Sequence, residues 1–164
     1  MIIYVTKALQ ESMKIKETDI DRCVIQDEKY CWHAHIVKLN GKNTIILMND
    51  KTTYAILLRN KLPRSLDKFK ELVKKSICEG LMMTNLDFYD YFRDMGDVII
   101  SRNHDRQMLG NINEAVYQAS FAWDLWSDTE TLQVESMMRV NSGVRKKGKQ
   151  SVIPEYDVIQ LLEK

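Results

Sequence analysis

The sequence predicts an α+β domain with a mostly antiparallel sheet, a central three-strand meander over residues 32–58, and helices packed on that sheet. Three observations support this prediction: a strong hairpin signal within residues 32–49, a second tight turn followed by an apolar run, and later segments with helical periodicity. The 164 residues suffice for a single domain with a substantial core, and no Pro-rich or low-complexity linker divides them.

The hairpin signal is the dipeptide Asn40-Gly41. A two-residue type I′ turn needs positive φ at both central positions, and Asn-Gly tolerates that conformation best. This turn sets a register in which Trp32 lies beside Asn49 and His33 lies beside Met48. Both faces of the hairpin carry apolar residues, so we expect both faces to be at least partly covered.

The second turn, Asn49-Asp50-Lys51-Thr52, contains side chains that hydrogen-bond their own backbone. The apolar run from Tyr54 to Leu58 then forms the third strand of the meander. Because Trp32 lies beside Asn49, the stretch Trp32-His33 and this turn are predicted to lie at the same end of the sheet.

Apolar spacing and capping residues predict the other elements. Ser65 suits a helix N-cap, and the apolar residues that follow it keep helical spacing. Asp105 or Asn103 is suited to cap a second long helix, in which Gly110 permits close approach of another backbone or ligand, or tight helix packing. Outside the meander, the predicted strands are 1–6 and 97–101. The predicted helices are 7–16, 66–81, 86–93, from 105 or 106 to about 126, and 154–164. Residues 134–140 form a helix or a strand, and residues 145–149 form a basic loop.

Composition and charge exclude several classes of protein. The chain is 45% hydrophobic and 29% charged, with a net charge of +1, so it has no global bias toward nucleic acid or an anionic membrane. Three cysteines without CxxC spacing argue against a disulfide framework, and we expect a reducing, cytoplasmic environment. No apolar run is long enough to span a membrane.

Three patterns were weighed as sites of chemistry. Cys31, His33 and His35 share one face of a strand, but their spacing lets only two of them share an ion readily, so no metal and no cofactor is predicted. The sequence contains no nucleophile elbow, P-loop or metalloprotease motif. A histidine-dependent hydrolase or nuclease in which His33, His104 and Asp50 meet in space stays open as an alternative.

The third pattern is the start of the second long helix, where Arg102, His104 and Arg106 cluster. Free backbone N–H groups and the helix dipole favour anions at such a position. Asn111 and Asn113 add polar groups within the first two turns. A phosphate, a carboxylate or a nucleotide is therefore a candidate ligand, although helix starts are commonly polar without binding anything.

The chain also resembles a known family through three short motifs in order: Trp32-His33-Ala34, the turn 49–52, and the helix start Arg106-x-x-Leu-Gly-x-x-Asn113. The family is an uncharacterised bacterial domain of unknown function that plasmids and phages also carry. Asn141 and the segment 154–159 resemble its C-terminal pattern, whereas His35 departs from it. The resemblance implies a site and no reaction.

These observations together predict a non-enzymatic protein that binds a small anionic ligand, such as a nucleotide or a nucleotide-derived signal. Trp32 is expected to stack on the ligand or form a wall, and Arg106 with the helix N–H groups is expected to take its negative charge. On a phage or plasmid, such a protein would sequester a host immune signal. The predicted ligand-binding residues are Trp32, His33, Asn49, Asp50, Thr52, Arg106, Gly110, Asn111 and Asn113.

Three other classes stay open. A protein-binding adaptor or inhibitor would expose an apolar patch, and homo-oligomerisation is compatible with the sequence. A nucleic-acid-binding protein would gather basic residues on one face, although the near-neutral charge counts against it. The basic residues concerned are Arg139, Arg145, Lys146, Lys147 and Lys149, together with Lys68, Lys74 and Lys75. An enzyme would bring His33 or His104 within hydrogen-bond reach of a carboxylate in a cleft.

Overall fold

A computed structural model describes residues 1–22, 26–59, 62–84, 89–102 and 105–162. A five-stranded sheet has the strand order β4-β3-β2-β1-β5, and a separate two-stranded hairpin pairs β6 with β7. The strands are β1 (Ile2–Val5), β2 (Cys31–Leu39), β3 (Lys42–Asn49), β4 (Ala55–Arg59), β5 (Ile99–Arg102), β6 (Arg145–Lys147) and β7 (Gln150–Val152).

The central meander has the predicted register. Trp32 pairs with Asn49 and His33 pairs with Met48 in the antiparallel β2–β3 ladder. Asn40 and Gly41 both have positive φ, 49° and 74°, as a type I′ turn requires. The predicted α+β class and central meander are confirmed.

The sheet is mixed, which corrects the expectation of a mostly antiparallel sheet. Strand β1 lies in parallel between β2 and β5, so two of the four strand pairs are parallel and two are antiparallel. A parallel pair requires a crossover connection, and the segment between β1 and β2 includes helix α1 (Lys7–Met13). Turn residues predict only the pairing of strands that follow each other directly in the chain. They therefore do not predict where β1 enters the sheet.

Apart from α3, whose predicted start lies outside the described residues, the other helices begin close to their predicted starts. They are α2 (Leu66–Met82), α3 (Tyr89–Asp94), α4 (Arg106–Phe121), α5 (Val134–Asn141) and α6 (Pro154–Leu162). The Ser65 hydroxyl accepts a hydrogen bond from the Lys68 N–H, and the Asp105 carboxylate caps α4. The prediction that α4 reaches Trp126 is wrong, because the helix ends at Phe121.

Residues 145–152 correct a second expectation. The predicted basic loop 145–149 is instead part of the β6–β7 hairpin, whose turn contains Gly148 with φ of +60°. The start of the predicted helix 86–93, and the alternative cap Asn103, lie outside the described residues.

The two faces of the sheet are covered by different helices. Helix α2 packs on the Trp32 face, where a Cβ added to Gly80 would lie 2.8 Å from Ile56 Cδ1. Helix α4 contacts β2 and β3, and α5 contacts β4. A hydrophobic core cluster joins the sheet to these helices, with Phe69 and Ile77 in α2 and Ile112 in α4 fully buried. Among the described residues, no helix has the length and apolar character needed to cross a membrane.

Candidate functional site

The turn after β3 is held together by the side chain of Asn49. Its amide Nδ2 donates to the carbonyls of Lys29 and Cys31, and its Oδ1 accepts from the N–H groups of Lys51 and Thr52 and from the Thr52 hydroxyl, a total of five hydrogen bonds. Asn49 and Thr52 are both 1% exposed. Their polar atoms are therefore used by the protein itself, and their role is to fix the conformation of the turn.

The C-terminal hairpin is anchored to the same turn. The guanidinium of Arg145 donates to the carbonyls of Thr53 and Val140, and the ammonium of Lys147 donates to the carbonyl of Lys51. Arg145 is 2% exposed, and burial lowers its pKa to about 10, which leaves it charged at neutral pH. This burial removes Arg145 from any basic surface that could contact nucleic acid.

Asp50 lies beside His33, whose Nε2 is 2.7 Å from its Oδ1. The His33 side chain is 3% exposed and that of Asp50 is 19% exposed. The Nδ1 atom of His33 is buried and has no hydrogen-bond partner in the described part of the chain. A neutral imidazole with its proton on Nε2 avoids burying an unpaired donor, so this tautomer donating to Asp50 fits the site best.

Two further side chains adjoin the His33–Asp50 pair. Tyr4 is the partner of His33 across the β1–β2 ladder, and their ring centroids are 4.9 Å apart. Burial raises the pKa of Tyr4 to about 12 and that of Cys31 to about 11. Both side chains are therefore uncharged at neutral pH, so Cys31 lacks the thiolate character that a nucleophile requires.

Asp50 faces a cleft of about 230 Å³ between the turn, the start of α4 and the β6–β7 hairpin. The cleft is polar, with three carboxylates and one lysine among its lining residues. Its lining residues are Glu28, Asp50, Thr53, Asp105, Gln107, Met108, Asn111, Lys147 and Gly148. The sheet end and the helix start predicted to form a shared site thus do meet, through Asp50 and Asn111.

The start of α4 differs from the predicted anion site. The Asp105 carboxylate accepts hydrogen bonds from the N–H groups of Gln107 and Met108, at 2.7 and 3.1 Å. These backbone donors are consequently occupied by the protein's own anion. Arg102 pairs with Glu17 instead of turning to the cleft, and His104 lies outside the described residues.

The predicted site residues separate into three groups. Asp50 and Asn111 line the cleft, and the amide of Asn111 has no hydrogen bond within the described chain. His33, Asn49 and Thr52 do not line the cleft; His33 contacts Asp50, and Asn49 and Thr52 hold the turn that carries Asp50.

Trp32 and the exposed residues of α4 form the remaining group. Trp32 is 1% exposed and its indole donates to the Tyr91 hydroxyl at 3.0 Å, so it is a core residue and no wall of the cleft. Arg106, Gly110 and Asn113 are exposed and do not line the cleft. A Cβ added to Gly110 would meet no atom within 4 Å, so among the described residues neither tight packing nor close backbone approach occurs there.

Sequence reasoning missed Thr53 and Lys147 as cleft residues. Thr53 has φ of 57°, which is uncommon for a β-branched residue, and its buried hydroxyl has no partner in the described chain. The turn sequence gave no local signal for this conformation. Lys147 belongs to the predicted basic loop, and only the packing of the β6–β7 hairpin against the turn places it in the same cleft as Asp50.

The residues considered for metal binding have separate partners. The Cys31 thiol contacts the Asp27 carbonyl, His33 contacts Asp50, and His35 Nδ1 lies 3.0 Å from the Thr6 hydroxyl. No group of three His, Cys, Asp or Glu side chains suited to a metal ion occurs among the described residues.

Comparison with known proteins identifies one family. The model of a domain of unknown function, DUF6933, matches residues 2–156, nearly the whole chain. This match agrees with the resemblance to an uncharacterised family. No curated protein matches the chain.

Proposed function

The chain belongs to the DUF6933 family, a domain of unknown function, and we propose that it is a non-enzymatic protein that binds a nucleotide-like ligand in the cleft at Asp50. One observation carries the proposal. The Asp50 carboxylate is oriented by His33 at 2.7 Å and shares a polar cleft with the Asn111 amide. A charged group held in place by a buried partner is preorganised for recognition.

The chemistry of the cleft favours a ligand that inserts hydrogen-bond donors. Glu28, Asp50 and Asp105 are acceptors when ionised, and Lys147 is the one cationic side chain among the lining residues that the structure describes. A guanine base offers a ring N–H and an amino group side by side, which match the two oxygens of one carboxylate. The corresponding edge of adenine pairs one donor with one acceptor and therefore matches a carboxylate less well.

The cleft is too small to enclose a whole nucleotide. A volume of about 230 Å³ is below the roughly 300–1,000 Å³ of sites that enclose drug-sized ligands. The base enters the cleft, and the anionic part of the nucleotide stays at its rim, near Lys147 and the first turn of α4 with Arg106. The ligand is therefore still anionic, but the Asp50 carboxylate recognises its base, and the helix N–H groups do not bind its phosphate.

The biological purpose we propose is sequestration of a nucleotide-derived immune signal by a phage or plasmid. The support for this purpose is the resemblance to a family carried by mobile elements. A binding protein without turnover removes a signal in proportion to its own concentration, so sequestration requires tight binding and abundant expression.

Isothermal titration calorimetry with guanine and adenine mononucleotides and cyclic dinucleotides tests the proposal. We expect guanine-containing ligands to bind, and Asp50→Asn to weaken binding roughly 10- to 100-fold, because a charged hydrogen-bond acceptor contributes about 1.5–3 kcal/mol. Asn111→Ala should weaken binding less. Asn113→Ala is the matched control, since Asn113 lies on the same helix but is exposed outside the cleft.

Two results would contradict this function. Binding that is unchanged in Asp50→Asn would place the ligand elsewhere, and binding of no guanine ligand would reject the base specificity. Arg106→Ala tests the rim separately. If this variant binds every nucleotide as the wild type does, Arg106 makes no contact with the phosphates.

A hydrolase is the second candidate, because His33 and a cleft-lining carboxylate are within hydrogen-bond reach. The free nitrogen of His33 is buried, so Asp50 would be the group that faces a substrate as a general base. Chromatography of nucleotides after incubation with the protein distinguishes the candidates. Product formation that is lost in Asp50→Asn would establish an enzyme, whereas unchanged ligand recovered in full supports binding alone.

A further inference from the structure

Helix α4 exposes an aromatic pair on the side opposite its core face. Tyr117 and Phe121 are 60% and 66% exposed, and their rings contact each other edge to face at 4.7 Å. Contiguous exposed apolar patches larger than a few hundred Å² are rare on monomeric proteins and mark interaction surfaces. The core face of the same helix contains Ile112 and Ala115, which are fully buried.

Four exposed residues form one stripe along this helix. Gly110, Glu114, Tyr117 and Phe121 have the alternating four- and three-residue spacing of a helix–helix seam, and they lie within an arc of about 60°. A glycine inside a helix disfavours the helix relative to alanine. Gly110 has nothing within 4 Å of an added Cβ, so no contact with the described residues of its own chain accounts for it.

We propose that this stripe is the interface of a homodimer in which two copies of α4 pack antiparallel about a twofold axis. An axis midway between Gly110 and Phe121 places the Phe121 ring of each subunit over Gly110 of the partner subunit. The same axis places Glu114 opposite Tyr117 of the partner subunit, where the phenol donates a hydrogen bond to the carboxylate. Both contacts occur twice, as a twofold interface requires.

The register explains why a glycine stands at position 110. Helices packed side by side are about 8–10 Å apart, and the closest approaches need a small residue opposite a large one. Phe121 supplies the large residue and Gly110 the notch. Both features are otherwise unexplained in the monomer, and a single symmetry operation accounts for both.

The groove beside the stripe is lined by charged residues of both signs. It has a volume of about 750 Å³ and contains acidic Glu114 and Asp124 together with basic Arg139. A surface that carries both signs can pair with a rotated copy of itself, which favours a second copy of this chain over a partner of one charge. Val144, which is 59% exposed, directly follows Gly143 in the wall of the groove.

The expected area indicates a reversible dimer. Aromatic side chains bury roughly 150–250 Å² each, so the four partly exposed rings of the two subunits contribute about 500 Å². Stable interfaces bury about 1,200–2,000 Å² in total, so the adjoining groove must contribute the remainder. A concentration-dependent equilibrium between monomer and dimer is therefore expected.

Sedimentation velocity over a wide range of protein concentrations tests the dimer with three variants. We expect the wild type to dimerise and Phe121→Glu to associate at least tenfold more weakly. Gly110→Leu should also stay monomeric, because its side chain fills the notch, although open space around Gly110 lets the monomer fold normally. Tyr156→Glu is the control, since it removes another exposed aromatic, 59% exposed on α6, that belongs to neither the stripe nor the lining of the groove.

The sedimentation results can either support or overturn the homodimer. Dimerisation by the wild type and by Tyr156→Glu, with monomers for the two stripe variants, supports the proposal. A wild type that is monomeric at every concentration overturns it, and so does a Gly110→Leu variant that dimerises like the wild type. Circular dichroism spectra and melting temperatures verify that each variant is folded. The proposal is independent of the ligand cleft.

Discussion

His33 and Asp50 form a hydrogen-bonded pair at the end of the sheet, with Nε2 and Oδ1 2.7 Å apart. The two residues belong to different segments that the β2–β3 register brings together. The pair keeps a carboxylate oriented at the edge of a cleft while its histidine remains almost inaccessible to solvent.

Removal of the imidazole should destabilise the protein substantially. His33→Ala loses a hydrogen bond to a charged acceptor and leaves a cavity, so we expect the free energy of unfolding to fall by about 2–4 kcal/mol. Asp50→Asn keeps an oxygen acceptor for Nε2 and should cost less than about 1.5 kcal/mol. Urea denaturation measures both values, and a His33→Ala variant as stable as Asp50→Asn would show that the pair contributes little.

Asn49 should be essential to stability, in contrast to the other asparagine predicted as a ligand. Its side chain makes five hydrogen bonds while it is 1% exposed. We expect Asn49→Ala to lower the free energy of unfolding by about 2–4 kcal/mol, since several buried backbone groups lose their partners. Asn113→Ala, at an exposed position, should change it by less than about 0.5 kcal/mol. Equal effects of the two substitutions would refute the structural role of Asn49.

Two helical glycines should respond oppositely to alanine. Gly110→Ala places its Cβ in open space, so the helix gains about 1 kcal/mol when thermal unfolding is measured on dilute, monomeric protein. Gly80→Ala places its Cβ 2.8 Å from Ile56 Cδ1, in a core that must shift to admit it. We expect that strain to cancel the helical gain and to leave the variant up to about 1 kcal/mol less stable. A stabilised Gly80→Ala would show that this contact yields easily.

Alkaline pH should weaken the fold through Cys31. Burial raises its pKa from 9.0 to about 11, so the folded state retains the thiol proton longer than the unfolded state does. The resulting stabilisation is complete below pH 9 and is lost as the pH rises through 11. Urea midpoints measured across this range should fall more steeply for the wild type than for Cys31→Ser, which lacks the titrating thiol. Parallel curves would exclude Cys31 as a contributor.

Local chemistry accounts for the elements that were predicted correctly. Asn40-Gly41 determines the hairpin register because few other dipeptides adopt positive φ twice. Ser65 and Asp105 start their helices because their side chains accept hydrogen bonds from backbone groups within three residues. Each of these signals acts within a few residues and can therefore be recognised in a single sequence.

Two expectations about the site differ from the structure because a sequence does not show which partner an aromatic ring or a helix end takes. Trp32 was expected at a ligand, but the core takes it up, with Tyr91 as its hydrogen-bond partner. The helix start was expected to hold an anion, but Asp105 already occupies the N–H groups of Gln107 and Met108. An aromatic ring or a helix end looks alike in a sequence whether its partner is a ligand or the protein.

The sequence by itself determined that the end of β2 and the turn after β3 lie together, and with them His33 and Asp50. Only the tertiary structure decided that β1 enters the sheet in parallel, and that Lys147 of the C-terminal hairpin lines the same cleft as Asn111. The reason is the range of the forces involved. A turn is specified by the dihedral preferences of adjacent residues, whereas strand insertion and hairpin docking depend on packing between segments far apart in the chain.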